Sequence, residues 1–195
     1  MEASQILQEA ERATVIVRQL LNVPRETQSE TRLLSLAELV ENTAELQRSM
    51  LAGSRIRLKL ELQEGLPRVK GDYAQLQQVL LNLLQNAQQA MQESGVGRML
   101  TVRVARAAAG RVRLEVQDDG PGIPEAIQSR IFDPFFTTKP AGKGTGLGLA
   151  IVSGFVRQQG GTIAVFSGPK GGARFVVELP AAEEGPQVVA RGNRE

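Results

Sequence analysis

The sequence predicts an α/β fold in which one compact domain of helices and strands is preceded by a separate N-terminal helix. A chain of 195 residues is long enough for one domain and an appendage. Between residues 72 and 93 apolar residues recur at spacings of three and four, which is typical of an amphipathic helix. Basic and apolar residues alternate over residues 55–62, which is the pattern of a half-buried strand.

The N-terminal helix is predicted by apolar residues at spacings of three and four between Ile6 and Leu21, and Pro24 ends it. An amphipathic helix without a partner in sequence buries its apolar stripe on a preceding helix or on another subunit. We therefore expect a segment that precedes this chain and a homodimer formed through this helix. Residues 25–35 are polar and predict a linker.

The remaining elements follow from capping residues and from alternating patterns. Ser35 is a suitable N-cap for a helix that reaches Leu51, and Asp72 for a longer one that ends at about Glu93. Gly110 predicts the turn of a hairpin. The other predicted elements are strands at residues 100–107 and 111–117, a helix at 147–159, strands at 162–167 and 173–179, and a frayed tail at 181–195.

The composition limits the chemistry that the chain can perform. It contains no cysteine and no histidine, which excludes disulfides, thiolate metal sites and mechanisms that use histidine as a base or as a zinc ligand. Carboxylates, amides, lysines and the backbone must therefore carry the function. A net charge of +2 and an aromatic content of 4% predict no nucleic-acid partner.

The sequence predicts no contact with a membrane. No apolar run approaches the roughly 20 residues that a membrane-spanning helix needs. The first residues lack the basic and apolar regions of a secretory signal. We therefore expect a soluble, cytoplasmic segment.

One face of the predicted helix at residues 72–93 carries amides. This face holds Gln75, Gln78, Asn82, Gln85, Asn86, Gln89 and Glu93, and the opposite face is apolar. Asn82 and Asn86 are one helical turn apart and could present carbonyl oxygens side by side, as Mg²⁺ requires. A solvated polar face is the alternative interpretation.

An acidic and glycine-rich segment, DDGPGI, follows the predicted strand at residues 111–117. The carboxylate of Asp118 could accept a hydrogen bond from an exocyclic amine, while Gly120 and Gly122 let the backbone approach a flat ring. A simple Asp-Gly turn explains this segment equally well.

A second glycine-rich segment, residues 142–149, opens the next predicted helix. Backbone N–H groups and the helix dipole can receive phosphate oxygens in such an arrangement, and Lys139 and Lys143 could offset the phosphate charge. The spacing is neither that of a P-loop nor that of a dinucleotide-binding fingerprint, and a flexible hinge has the same composition. Three phenylalanines at 132, 135 and 136 predict either a lid with an apolar latch or a small satellite core.

The order and spacing of these segments together resemble the ATP-binding catalytic domain of sensor histidine kinases. QVLLNLLQNAQQAM resembles the N box, DDGPGIP the first glycine box, IFDPFFTTK the F box, GKGTGLGLAIV the second glycine box and GGARFVVELP the final strand motif. The resemblance covers roughly residues 55–180 and implies the Bergerat fold, a two-layer α/β sandwich shared with gyrase, a heat-shock chaperone ATPase and mismatch-repair ATPases.

The resemblance implies a role for each matching position. Asn86 would coordinate Mg²⁺ bridging the ATP phosphates, with Asn82 in support, and Asp118 would accept the adenine amino group. The other positions implied in binding ATP are Gly120, Gly122, Ile123, Phe132, Lys139, Lys143, Gly144, Thr145, Gly146, Leu147, Gly148 and Leu149. Phe135 and Phe136 would belong, with Phe132, to the mobile ATP lid.

The resemblance also divides the chain. Residues 1–24 would be part of the dimerisation and phosphotransfer hairpin, 25–35 a linker, 36–180 the catalytic domain and 181–195 a tail. Two departures from the family, Gln159 in place of a frequent histidine and Arg174 in place of a frequent threonine, lie outside the nucleotide motifs.

The implied function is that of a protein histidine kinase in a two-component system. The chain would bind Mg²⁺ and ATP and transfer the γ-phosphate to a histidine on a helix outside this chain, with a response regulator receiver domain as a further partner. It could be the cytosolic part of a membrane-bound sensor. Hydrolysing relatives have a glutamate where this chain has Asn82, and since an amide cannot take a proton from water, ATP should be held for transfer. A nucleotide-responsive regulatory module and a serine kinase of the anti-sigma-factor type are the alternatives.

Overall fold

The structure is a computed structural model that describes residues 30–140, 144–168 and 171–182. The predicted N-terminal helix at residues 1–24, most of the predicted linker, Lys143 and most of the predicted tail lie outside these ranges. Within the described ranges, no helix is both long enough and apolar enough to cross a membrane.

The described residues form seven strands and four helices. In chain order these are β1 (Thr31–Leu34), α1 (Leu36–Ala52), β2 (Arg57–Leu62), β3 (Val69–Asp72), α2 (Tyr73–Ser94), β4 (Met99–Ala107), β5 (Arg111–Asp118), α3 (Glu125–Gln128), α4 (Gly148–Gln158), β6 (Thr162–Ser167) and β7 (Ala173–Pro180). The main sheet has the order β2-β4-β5-β7-β6, and a second small sheet pairs β1 with β3. In the main sheet β2 is parallel to β4, and the other neighbours are antiparallel.

The helices cover one face of the main sheet. Successive side chains of a strand point to opposite faces, and the alternate residues that face the helices, such as Val102, Leu114 and Val177, are buried. They share one core with residues of α1 and α2 such as Leu39 and Leu80. The predicted two-layer α/β sandwich is therefore confirmed.

The other face of the main sheet is polar. Arg103 of β4 donates hydrogen bonds to Glu61 of β2 on one side and to Glu115 of β5 on the other. Arg113 of β5 pairs with Glu178 of β7 farther along the same face. Charges that pair across neighbouring strands keep this face soluble without a second helical layer.

Local signals at both ends define α2. The carboxylate of Asp72 accepts a hydrogen bond from the backbone N–H of Gln75 over 3.1 Å, and Gly95 follows the helix with a φ of 69°. A side-chain acceptor at the N-cap and a left-handed glycine beyond the last turn are the usual means of ending a helix. The predicted capping by Asp72 is confirmed. The helix carries Asn82 and Asn86 toward the opening described below.

Three features of the fold differ from the sequence predictions. β1 lies inside the stretch interpreted as a polar linker, and it pairs with β3, which was also not predicted. Each strand has four residues, and their pairing joins distant parts of the chain, so local patterns do not reveal it. Gln75, assigned to the polar face of α2, is buried because α4 packs against that part of the helix. The stretch interpreted as irregular contains the short helix α3.

Candidate nucleotide-binding site

A cavity of about 780 Å³ lies between α2, the segment that follows β5, the start of α4 and the start of β7. Its volume is in the range of pockets that hold a small molecule or a cofactor. The lining residues are Asn82, Gln85, Asn86, Ala87, Gln89, Ala90, Glu93, Ser94, Asp118, Pro121, Gly122, Ile123, Pro124, Ile127, Ile131, Phe136, Thr137, Thr138, Lys139, Pro140, Gly144, Thr145, Gly146, Gly148, Leu149, Ala173 and Phe175.

Asp118 lies at one end of the cavity, on the last residue of β5. Its side chain is buried, and Oδ1 accepts hydrogen bonds from the backbone N–H of Gly120 at 2.9 Å and of Ala173 at 3.1 Å. Burial raises the pKa of this carboxyl above its ordinary value, and the two backbone N–H groups act in the opposite direction. Because both bonds reach Oδ1, Oδ2 can accept a hydrogen bond from a ligand.

The backbone just before β7 approaches Asp118 and Gly122 closely. Gly172 has a φ of 79°, and a Cβ on it would lie 2.1 Å from the carbonyl oxygen of Asp118. A Cβ on Gly122, which has a φ of 77°, would lie 3.1 Å from the carbonyl oxygen of Gly172. Only glycine permits so close an approach with these backbone angles. Gly172 belongs to the GGARFVVELP motif, but the motif does not reveal this contact because β5 and β7 are distant in the chain.

Apolar side chains also line the cavity. They are Ile123, Ile127, Ile131, Phe136 and Phe175. Apolar and aromatic walls with one polar group at the end are typical of sites that bind a flat ring. Phe132 does not line the cavity, since it packs edge-to-face against Phe175 with ring centroids 6.4 Å apart.

Amides line the other end of the cavity. The Nδ2 of Asn82 donates to the carbonyl oxygen of Gly148 over 3.4 Å, and its Oδ1 accepts from Gln78 over 2.9 Å. Asn86 also lines the cavity, and within the described ranges no hydrogen bond joins its side chain to another residue. The two amides therefore differ: Asn82 is tied to the start of α4, and Asn86 can still receive a ligand.

The glycine loop, residues 144–148, meets the lid segment, residues 131–140. The backbone N–H of Phe135 donates to the carbonyl oxygen of Gly146 over 3.0 Å. A Cβ on Gly144 would lie 2.6 Å from the Oγ1 of Thr137. Thr145 accepts a hydrogen bond from the backbone N–H of Leu147 over 3.4 Å, which shapes the turn into α4. The start of α4 therefore opens into the cavity beside the lid segment.

Lys139 connects the lid segment to α2. Its ammonium group donates to the Oε1 of Gln89, and the Nε2 of Gln89 donates to Glu93 over 2.9 Å. Burial lowers the pKa of Lys139, while the charge of Glu93 opposes this effect. Gln89 and Glu93 lie on the predicted amide face, but no sequence motif assigns them to the site.

The structure brings most of the predicted site residues to one cavity. Those that line it are Asn82, Asn86, Asp118, Gly122, Ile123, Lys139, Gly144, Thr145, Gly146, Gly148 and Leu149. Gly120 and Leu147 are buried and do not line the cavity. Phe132 is partly buried and does not line it either. Lys143 lies outside the described residues.

The donor set can be compared with the needs of Mg²⁺. Within the described residues, no group of three or more acidic side chains could hold a metal ion. Mg²⁺ in nucleotide sites keeps several waters and takes few protein ligands beside the phosphates. The amide oxygen of Asn86 fits this pattern, whereas the Oδ1 of Asn82 is already bonded to Gln78.

Residues 71–183 match the sequence pattern of a family described as histidine kinase-, DNA gyrase B-, and HSP90-like ATPase. The match covers more than half of the chain, and the chain belongs to this family. Its sequence and fold are similar to those of the ATP-binding catalytic domain of sensor histidine kinases, as the following relatives and solved structures show.

Two relatives illustrate the similarity in sequence. The sensor kinase CckA of Brucella abortus is 38% identical over an alignment of 186 residues that covers 90% of this chain and 20% of CckA. The signal transduction histidine-protein kinase AtoS of Escherichia coli is 37% identical over 186 residues, which are 95% of this chain and 30% of AtoS. The chain thus spans less than a third of either relative.

Three solved structures illustrate the similarity in fold. The catalytic domain of histidine kinase ThkA has a TM-score of 0.68 at 32% identity, over 78% of this chain and 96% of that one. Full-length ShkA in complex with AMPPNP has a TM-score of 0.69 at 30% identity, over 81% of this chain and 32% of ShkA. ThkA in complex with the response regulator TrrA has a TM-score of 0.71 at 29% identity, over 91% of this chain and 49% of that one.

Proposed function

We propose that the chain binds Mg²⁺ and ATP in this cavity and holds the γ-phosphate for transfer to a histidine outside the chain. The observation that carries the proposal is that the two ends of the cavity present different groups. A buried carboxylate, Asp118, lies at one end, and the start of a helix with the amide of Asn86 lies at the other.

The adenine ring would lie at the Asp118 end. The Oδ2 of Asp118 would accept the hydrogen bond of the exocyclic amine, while the bonds from Gly120 and Ala173 hold the carboxylate in place. Ile131 and Phe175 would pack on the ring. A guanine in the same place would present an oxygen to this carboxylate, so the arrangement favours adenine.

The phosphates would lie at the start of α4. Unpaired backbone N–H groups and the dipole of a helix N-terminus favour a negatively charged ligand, and Gly144 and Gly148 leave room for it. Lys139 would exchange its bond with Gln89 for a phosphate oxygen, because a charge-assisted bond is the stronger of the two. Asn86 would hold Mg²⁺, which supplies charge neutralisation at the phosphates when bound.

The site is suited to transfer rather than to hydrolysis. Asn82 faces the cavity where a hydrolysing enzyme needs a carboxylate to take a proton from water, and its Nδ2 is bonded to the carbonyl oxygen of Gly148. The chain's own contribution would then be positioning of the nucleotide and neutralisation of its charge. The acceptor histidine would come from elsewhere, since the chain contains none.

The partners belong to the same proposal. A histidine-bearing helix would precede or face residues 1–24, and a second copy of the chain would pair through that helix. A receiver domain would then take the phosphoryl group from the histidine, and the complex of ThkA with its response regulator TrrA supports this expectation. The chain would act in the cytosol, as part of a larger sensor.

The experiment is phosphotransfer to a separate fragment that carries the histidine helix of such a kinase. We expect label from γ-labelled ATP on the fragment, in an acid-labile and alkali-stable bond. Asp118→Ala and Asn86→Ala should each weaken Mg²⁺-dependent ATP binding and reduce the label. ATP binding that neither substitution weakens would contradict the site, and tight ATP binding without transfer in any pairing would favour a regulatory module.

A further inference from the structure

Three polar residues form an amide cluster that joins the start of α2 to the end of α4. The Nε2 of Gln159, which follows the last residue of α4, donates to the Oε1 of Gln75 over 2.8 Å. The Oε1 of Gln159 accepts from the backbone N–H of Asp72 over 3.2 Å. Asp72 and Gln75 are buried. Both ends of one amide side chain are therefore bonded in a place where an unpaired polar group is costly.

The backbone leaves space for this cluster. A Cβ on Gly71 would lie 3.0 Å from the Oε1 of Gln159 and 3.0 Å from the Cδ1 of Leu76. These distances are tighter than ordinary contacts, so a side chain at position 71 would require the Gln159 amide and Leu76 to shift by a few tenths of an ångström.

The same two helices are linked again at the cavity, where Asn82 of α2 bonds the carbonyl oxygen of Gly148. The start of one helix therefore lies beside the end of the other, and the pair is antiparallel. The side chains of Val79, Val152 and Val156 are fully buried in the core to which both helices contribute. Packed helices can slide past each other by small shear motions. Directional hydrogen bonds oppose such sliding more specifically than apolar contacts do.

We propose that Gln159 is a positioning residue for the phosphate end of the cavity. Its amide fixes the axial position of α4 against α2, and thereby the position of the glycine loop relative to Asn86. Asp118 belongs to β5 and is held by backbone groups of the sheet and its loops, so the adenine end does not depend on this cluster. The inference rests on the proposed function, because it assigns the two ends of the cavity to adenine and to phosphates.

The test compares Gln159→Met with the unaltered chain in the binding of Mg²⁺-ATP and of adenosine, both measured by titration. Methionine has a similar length and forms neither hydrogen bond. We expect the Kd of Mg²⁺-ATP to rise about five- to tenfold and the Kd of adenosine to change less than about twofold. Gln158→Met alters an exposed glutamine next to it and is the matched control, for which both constants should stay the same.

A double variant separates positioning from stability. Gln75→Met with Gln159→Met replaces both amides, so no unpaired partner remains in the pair and the melting temperature should return toward that of the unaltered chain. The weak binding of Mg²⁺-ATP should persist, because no directional bond then fixes the helices at the end where α2 begins and α4 ends. If Gln159→Met does not fold, Gln75→Met breaks the same bond from the other helix and takes its place in the comparison.

In the single variant, either of two outcomes would overturn the positioning role and leave the proposed function intact. One is unchanged affinity for Mg²⁺-ATP in the folded single variant, and the other is an equal loss of affinity for ATP and for adenosine. Recovery of ATP affinity together with the melting temperature in the double variant would also assign the cluster to stability alone. If the unaltered chain did not bind Mg²⁺-ATP, the proposed function itself would fail, and the inference with it.

Discussion

The backbone N–H of Phe135 donates a hydrogen bond to the carbonyl oxygen of Gly146, and the two atoms are 3.0 Å apart. Both residues have a φ of 66°. A positive φ is strained for a bulky residue such as phenylalanine, and it persists where the surrounding contacts determine it. This bond joins the lid segment to the glycine loop beside the cavity.

The closeness of these two residues predicts the effect of Gly146→Ala. The added Cβ would lie 2.3 Å from the carbonyl carbon of Phe135, and the backbone there has a positive φ. The glycine loop must therefore move away from the lid segment. We expect the Kd of Mg²⁺-ATP to rise by at least about tenfold, which corresponds to roughly 1.4 kcal/mol.

Gly154→Ala is the matched control for this prediction. Gly154 lies within α4, and an added Cβ would meet nothing within 4 Å. An alanine in a helix is more favourable than a glycine by about 1 kcal/mol, so this variant should bind ATP normally and melt at a higher temperature. Normal ATP affinity in Gly146→Ala would show that the loop does not touch the phosphates.

The raised pKa of Asp118 predicts a pH dependence of adenosine binding. The ionised carboxylate is the better acceptor for the adenine amine, so affinity should fall as the pH is lowered through the raised pKa. Adenosine is the appropriate ligand because the phosphates of ATP titrate as well. Asp118→Asn should bind adenosine weakly and without this pH dependence, whereas Asp133→Asn, an exposed carboxyl in the lid segment, should keep it.

The effect of the same carboxyl on stability has the opposite sign. Because the pKa of Asp118 is higher in the folded than in the unfolded chain, its ionised form destabilises the fold at neutral pH, and this cost disappears as the pH falls through the folded-state pKa. Asp118→Asn should therefore keep or raise the melting temperature at neutral pH. Loss of both adenosine binding and stability at neutral pH would show that the carboxylate is needed for the fold.

Local sequence signals were sufficient for the long elements. The N-cap at Asp72 and the glycine at Gly95 determine where α2 begins and ends, and the hairpin around Gly110 follows from alternation and one turn residue. The candidate site could be predicted for a similar reason, since most of its residues lie in short motifs that border these elements.

Contacts between distant segments were not predictable in the same way. The pairing of β1 with β3, the burial of Gln75 and the approach of Gly172 to Asp118 each depend on a second segment far away in the chain. Neither composition nor periodicity specifies such a partner. The bond between Lys139 and Gln89 belongs to the same class, because a lysine in a loop does not indicate which helix it meets.

The position of Lys139 predicts a loss of affinity that depends on the phosphates. Lys139→Met removes a cation beside the start of α4, so the Kd of Mg²⁺-ATP should rise by about tenfold and that of adenosine should not change. Lys70→Met, at an exposed position on β3, is the matched control and should bind both ligands normally. Unchanged ATP affinity in Lys139→Met would place the phosphates away from this lysine.

The polar face of the main sheet predicts how the fold responds to the loss of one guanidinium. The Nη1 of Arg103 donates to Glu115 over 2.7 Å and to Gln117 over 2.9 Å, and its Nε donates to Glu61. Glu115 is 7% exposed, and Arg174 at 4.0 Å would be its remaining partner. Arg103→Met should therefore lower the free energy of unfolding by about 1–3 kcal/mol in denaturant titrations at neutral pH.

The pH dependence of this loss tests its electrostatic origin. Hydrogen bonds from Lys59 and then Arg103 lower the pKa of Glu61, so this carboxylate stabilises the fold above its unfolded-state pKa, and the contribution is lost as the pH falls through the folded-state pKa. The difference in the free energy of unfolding between the unaltered chain and Arg103→Met should accordingly become smaller at acidic pH. Arg113→Met, whose partner Glu178 lies at a more exposed place, should cost less than about 1 kcal/mol. A difference for Arg103→Met that stays constant from neutral to acidic pH would mean that the side chain stabilises the sheet by packing and not by its charge.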